Sequence, residues 1–179
     1  HIVKVKNVGL KHPMQNEWQI WDLTPFKETI HVEADMLFTS NIDSWWGQLQ
    51  KHEIFFTSHV KDYRGNKVTS NYYRKHFDKQ NLPKLYNGFY YFRYAETAHK
   101  FFTKAKEVSA RYKYYADYFF AGTWYPETPT TDEIFGITAY LLDLDNIVYN
   151  KAYTLPYFTH MKVKLQDWKH IEAPDSEDW

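Results

Sequence analysis

The chain has 179 residues, so its length is that of one domain with a sizeable core, and its 22 Lys and Arg residues balance its 22 Asp and Glu residues. This balance argues against general electrostatic attraction to nucleic acid or to anionic membranes. The absence of cysteine excludes disulfides and cysteine-based metal sites, and with no apolar run near the roughly 20 residues of a membrane helix we expect no membrane span.

Strands and helices alternate along the sequence. In chain order, hydrophobic spacing predicts a strand at 2–8, a helix at 16–23, a strand at 29–32, a helix at 41–49, a strand at 53–58, a helix at 71–79, a strand at 84–94, helices at 96–119 and 132–142, and short strands at 147–149 and 157–159. This order predicts an α/β fold in one domain, 1–179, with a mixed central sheet flanked by helices. Residues 171–179 are expected to form an acidic surface tail.

Two acidic residues, Glu33 and Asp35, follow the strand at 29–32. Alternation along an extended chain places His31, Glu33 and Asp35 on one face. Acids at the carboxyl end of a buried strand are costly unless a cation holds them, and open α/β sheets bind ligands at this edge. Mg²⁺ and Mn²⁺ take such carboxylates together with phosphate oxygens. The alternative is a solvent-facing acid pair, which the spacing alone favours.

Three further segments carry candidate groups. His160 directly follows a short apolar run, where it fits a third metal ligand or an ordinary structural histidine. Asn87-Gly88 interrupts the strand at 84–94, and glycine in a strand indicates a bulge or the close approach of a ligand. Asp132 and Glu133 open a helix, where carboxylates receive sugar hydroxyls or simply cap the helix.

Taken together and in this order, the motifs resemble those of A-type (Asp-x-Asp) nucleotide-sugar glycosyltransferases. Residues 25–38 with 41–46 resemble the Asp-x-Asp strand and short helix, residues 85–92 with 98–102 the Asn-x-Gly acceptor-side segment, and residues 157–162 the late strand with a metal-binding histidine. The overall pattern is most similar to glycosyltransferases encoded by tailed phages and marine metagenomes. Glu33 stands where the family has its first Asp.

The resemblance implies a nucleotide-diphospho-sugar transferase-like fold and a role for each matched position. The implied roles are Mn²⁺ or Mg²⁺ binding by Glu33, Asp35 and His160, catalysis by Asp132 and Asn87, and substrate binding by Gly88, Glu133, Lys162 and Lys164. The implied reaction moves a sugar from a nucleoside diphosphate sugar to an acceptor hydroxyl. The implied location is the cytoplasm, or the host cytoplasm for a phage-encoded member, whose acceptor could be modified DNA.

Two other functions stay open at this point. A nucleotidyltransferase of the same fold would need a basic, glycine-rich loop near the N-terminus. A non-catalytic domain would bind carbohydrate or protein through the aromatic side chains, which make up 20% of the chain.

Complete members of the family carry an N-terminal βαβ region of roughly a hundred residues that binds the nucleoside. Because only about 28 residues precede the motif strand here, we expect either a fragment without that region or a shortened relative.

Overall fold

The computed structural model describes residues 4, 6, 13–34, 36–38, 41–57, 61–62, 75–125, 127–149 and 159–160, and for 37, 61–62, 75–76, 78, 148–149 and 159–160 it describes the backbone alone. These residues form a mixed α/β structure. The strands are β1 (Glu28–Val32), β2 (Met36–Leu37), β3 (Ile54–Thr57), β4 (Lys61–Asp62), β5 (Tyr86–Arg93), β6 (Val148–Tyr149) and β7 (Thr159–His160). The helices are α1 (Ile20–Leu23), α2 (Asp43–Leu49), α3 (Lys75–Gln80), α4 (Glu96–Ala110), α5 (Tyr112–Phe119) and α6 (Thr131–Leu141), with 3-10 helices at Pro13–Gln19 and Asp145–Ile147.

The main sheet has the strand order β1-β5-β3-β6. Strand β5 is antiparallel to both β1 and β3, and β6 is parallel to β3. Strands β1, β3 and β6 therefore run in one direction, and β5 runs in the other. The carboxyl ends of β1 and β3 consequently lie beside the amino end of β5. A second, smaller sheet has the order β2-β7-β4.

Strand β5 divides the core into two layers, because its side chains alternate between the faces of the sheet. Tyr90 and Phe92 lie in the larger cluster, on the face covered by α4 and α6. Phe89 and Tyr91 lie in the smaller cluster, together with Trp45 of α2. Each of these four side chains of β5 is at most 1% exposed. The predicted mixed sheet with helices on its faces is therefore confirmed for the described residues.

The amino end of β5 departs from regular pairing. Phe56 of β3 lies opposite Tyr90, but Thr57 lies opposite Tyr86, where an unbroken register would pair it with Phe89. This shift confirms the irregularity expected at Asn87-Gly88. A Cβ at Gly88 would overlap the Met36 methyl group and the ring of Tyr86. Contacts with Met36 and Tyr86 within the protein therefore require a glycine at position 88.

Several element boundaries differ from the sequence prediction. The helix predicted at 96–119 is two helices, α4 and α5, because Arg111 between them leaves the helical region with φ −116° and ψ 27°. The helix predicted at 16–23 starts earlier, as a 3-10 turn at Pro13, where the fixed φ of proline suits a first turn. Most of the predicted strand at 2–8 and all of the tail at 171–179 lie outside the described residues.

Candidate functional site

The predicted site residues that the structure describes gather at one edge of the main sheet. Glu33 follows β1, and its N–H donates to the carbonyl oxygen of Gly88 at 3.0 Å. The N–H of Asn87 donates to Oδ1 of Asp132 at 2.7 Å. Residues separated by more than forty positions are thus joined where β1 ends, β5 begins and α6 begins. This is the edge at which open α/β sheets bind ligands.

The first turn of α6 is closed by a capping box. Thr130 is the N-cap, its side chain accepts from the N–H of Glu133, and the Glu133 carboxylate accepts from the N–H of Thr130 at 2.9 Å. The same Glu133 oxygen accepts from the hydroxyl of Tyr112 at 3.1 Å. Glu133 is 1% exposed. These contacts satisfy orphan helix donors, and a substrate role for Glu133 stays a prediction.

A second acid, Glu17, lies against the same turn and was not singled out from the sequence. Its Oε2 accepts from Thr131 Oγ1 at 2.8 Å and from Asn87 Nδ2 at 3.1 Å. Its Oε1 accepts from the hydroxyl of Tyr90 at 3.2 Å. A single carboxylate therefore connects the first 3-10 helix, β5 and α6.

His31 of β1 completes this cluster. Its ring stacks on Tyr90 with the centroids 4.4 Å apart, and its Nε2 lies 3.6 Å from Glu17 Oε1. Burial lowers the pKa of His31 to about 4, against a smaller opposing effect of the Asn87 backbone. The imidazole is consequently neutral at pH 7, and its contact with Glu17 is polar rather than ionic.

Glu17 has an unusual proton affinity for a carboxyl group. Burial raises its pKa to about 7, although hydrogen bonds from Thr131, Asn87 and Tyr90 act in the opposite direction, and the charge of Asp132 raises it further. No cation among the described residues forms an ion pair with it. The group therefore changes charge close to neutral pH.

Two polar atoms in this cluster are buried without a hydrogen-bond partner among the described residues. They are Oδ1 of Asn87 and Nδ1 of His31. Asn87 as a whole is 6% exposed. Buried polar atoms in native proteins are almost always hydrogen-bonded, so each exception needs an explanation. Four others in the described part of the chain lie outside this cluster: Trp18 Nε1, Trp45 Nε1, Tyr91 Oη and Ser109 Oγ.

Two of the three predicted metal ligands are not described in full. Asp35 lies outside the described part of the chain, and of His160 only the backbone is described. That backbone pairs with β2, and His160 lies opposite Met36. The predicted substrate-binding residues Lys162 and Lys164 also lie outside the described part. Within the described residues no group of three or more His, Asp or Glu side chains is placed to hold a metal ion.

The sequence did hold one signal for Glu17. It is the only acid among residues 13–21, a stretch in which Trp18, Ile20 and Trp21 define an apolar helical face. An isolated acid in such a segment is either solvent-facing or buried with partners, and only the fold decides between the two.

Comparisons with known protein families, with curated proteins and with solved structures gave no match for this chain. None of the helices in the described ranges is long and apolar enough to cross a membrane. The inference of function therefore depends on the site itself.

Proposed function

We propose that this chain is a metal-dependent glycosyltransferase that moves a sugar from a nucleoside diphosphate sugar to an acceptor hydroxyl. The observation that supports the proposal best is the hydrogen bond of 2.7 Å between Asn87 N and Asp132 Oδ1. It joins two segments that the resemblance assigns independently to the sugar and acceptor pocket. Glu33, which the resemblance assigns to the metal, follows β1 at the same edge and bonds Gly88.

The backbone pairing of β2 and β7 brings His160 beside the strand that directly follows Asp35 in the chain. It sets His160 opposite Met36, the residue that follows Asp35 in the chain. Two carboxylates and an imidazole suit Mn²⁺ or Mg²⁺ when phosphate oxygens complete the coordination. A bound ion would neutralise charge on the departing diphosphate.

The described residues would hold the sugar rather than the diphosphate. Asp132 is fixed by the Asn87 N–H in the first turn of α6, and its carboxylate can accept a hydrogen bond from a hydroxyl group. Asn87 is fixed in turn by Glu17. A sugar at this edge is therefore met by side chains that are already oriented, which lowers the entropic barrier to reaction.

Turnover by the full chain tests the proposal. The protein is incubated with Mn²⁺ and a panel of UDP-, GDP- and TDP-sugars, and release of the nucleoside diphosphate is measured with and without EDTA. We expect release that EDTA abolishes and that Asp132→Asn lowers by about a hundredfold. Asp22→Asn, at an exposed residue of α1, is the control and should match the wild type.

The same assay separates the alternatives. Release of pyrophosphate from nucleoside triphosphates, with no use of nucleotide sugars, would identify a nucleotidyltransferase. Carbohydrate binding without turnover of either donor would identify a binding domain. For a phage-encoded enzyme in the host cytoplasm, transfer of the sugar to modified DNA bases is the first acceptor reaction to test.

A further inference from the structure

Glu17 occupies a junction between the elements that carry the proposed site. Its partners are Thr131 in α6, Asn87 and Tyr90 in β5, and the nearby His31 in β1. The hydrogen-bonded partners are separated from it by 70, 73 and 114 positions. None of the helix caps and turns in the described part of the chain uses this carboxyl group, so its described contacts serve no local structural purpose.

The chemistry of a carboxylate determines how the amide of Asn87 is oriented. An ionised Glu17 can only accept hydrogen bonds, so it must face the NH₂ group of Asn87 and not the carbonyl oxygen. The distance of 3.1 Å from Nδ2 to Glu17 Oε2 agrees with this assignment. Oδ1 is then turned away from Glu17, and it has no donor among the described residues.

We propose that Glu17 is a positioning residue that fixes the amide of Asn87, so that Asn87 Oδ1 is kept as the acceptor for a hydroxyl group of the bound substrate. This inference rests on the proposed function. Oδ1 is covered by protein atoms, so the hydroxyl reaches it only when a neighbouring side chain moves aside. The hydrogen bond formed there offsets the unfavourable free energy of a buried acceptor without a donor.

The alternative role for Glu17 is purely structural, since it also bonds Thr131 and Tyr90. The two roles differ in what Glu17→Gln does. A glutamine at this position can present either its oxygen or its NH₂ group to Asn87, so the amide of Asn87 is no longer held in one orientation. Because the side chain keeps its volume, we expect the variant to fold, and a thermal unfolding curve of Glu17→Gln checks this.

The first experiment measures kcat and KM of the full chain for the active nucleotide sugar with Mn²⁺, from pH 5.5 to 8.5. In the wild type, kcat/KM should fall below about pH 7, since protonated Glu17 can donate as well as accept. His31, Tyr90 and Asp132 face Glu17 from the other elements and are unchanged in the variant. In Glu17→Gln, kcat/KM at pH 8 should be lower by about tenfold, and the fall below pH 7 should be absent.

The second measurement needs no activity. In protein labelled with ¹⁵N-asparagine, the side-chain NH₂ resonances of Asn87 should shift with a midpoint near pH 7 in the wild type and should be independent of pH in Glu17→Gln. If the chemical shifts of the Asn87 side-chain NH₂ change neither with pH nor with the Glu17→Gln substitution, the inference is overturned. This holds whether or not the protein turns over a sugar donor.

The control is Glu96→Gln, at an exposed acid on α4 whose one ion pair among the described residues is with Lys100 and which lies beyond the carboxyl end of β5. It should leave both readouts unchanged. An active wild type with an equally active Glu17→Gln overturns the role of Glu17 and leaves the proposed function standing. An inactive wild type overturns the proposed function, and the NMR titration alone then decides whether Glu17 orients Asn87.

Discussion

Two glutamates flank the first turn of α6, Glu133 buried and Glu17 half-buried, and they are used in different ways. Glu133 bonds Thr130, three positions away, and Tyr112 of the neighbouring helix. Glu17 bonds Asn87, Tyr90 and Thr131 across 70, 73 and 114 positions. The first acid closes a local motif, whereas the second connects separate elements at the edge of the sheet.

The comparison separates a role in stability from a role in positioning. A capping box satisfies donors that every helix start leaves open, so Glu133 has a sufficient structural reason to be there. Glu17 lies beside two buried polar atoms without described partners, Asn87 Oδ1 and His31 Nδ1. We therefore expect loss of Glu133 to lower the stability of the fold, and loss of Glu17 to change the geometry of the site.

The largest effect on stability is expected for Glu133→Ala. The substitution leaves the N–H of Thr130 and the hydroxyl of Tyr112 without their acceptor in a buried environment, and the free energy of unfolding should fall by about 3 kcal/mol. Denaturant unfolding measures the change. The exposed Glu127→Ala is the control. A midpoint shift no larger than that of the control would show that the capping box is not needed for stability.

A smaller and pH-dependent effect is expected for Glu17→Gln. Because the folded-state pKa of Glu17 is raised from 4.5 to about 7, the folded protein binds the proton more tightly than the unfolded chain between these values. The contribution of Glu17 to stability is therefore fully present below pH 4.5 and is lost as the pH rises through 7. Between pH 5 and pH 8 this loss should be about 2 kcal/mol.

The glutamine variant should lack this loss, so its stability relative to the wild type should increase from pH 5 to pH 8. The lowered pKa of His31 acts in the opposite direction, but it is common to both proteins and cancels in the comparison. If the two stability curves run parallel from pH 5 to pH 8, the pKa of Glu17 is not raised by folding. The distinction between Glu17 and Glu133 would then be wrong.

The smallest effect is expected at the glycines. Gly88→Ala places a methyl group against Met36 and the ring of Tyr86, and stability should fall by about 1.5 kcal/mol. Gly47→Ala is the matched control, because nothing lies within 4 Å of its Cβ position in the middle of α2. It should gain about 0.5 kcal/mol from its better helix propensity. Equal changes at the two positions would contradict the close packing of β2 on β5.

The fold was predictable wherever local patterns determine it. The alternation of His31 with Ile30 and Val32 predicted β1, and Ile30 and Val32 do pack in the smaller cluster while His31 stacks on Tyr90. The acids Asp132 and Glu133 at a helix start, with the apolar spacing after them, predicted α6 within one residue at each end. The break at Arg111 was not predictable, because the apolar spacing continues through it and neither Gly nor Pro marks it.

The site was predictable only in part. The Asn87-Gly88 and Asp132-Glu133 segments came from ordered motifs, and their meeting at one edge follows from the strand order. Glu17 escaped prediction because each of its hydrogen-bond partners is at least 70 positions away. Its burial and its raised pKa arise from tertiary packing, to which the sequence around residue 17 gives only the hint of a lone acid on an apolar segment.

Metal-dependent binding of a nucleotide is the most direct test of the proposed function. Titration calorimetry of the full chain with UDP and GDP, each with and without Mn²⁺, should show binding that requires the ion. Asp35→Ala should abolish it, and Asp22→Ala, at an exposed acid of α1, should bind as the wild type does. Binding that is independent of Mn²⁺, or that survives Asp35→Ala unchanged, would contradict a metal-dependent glycosyltransferase.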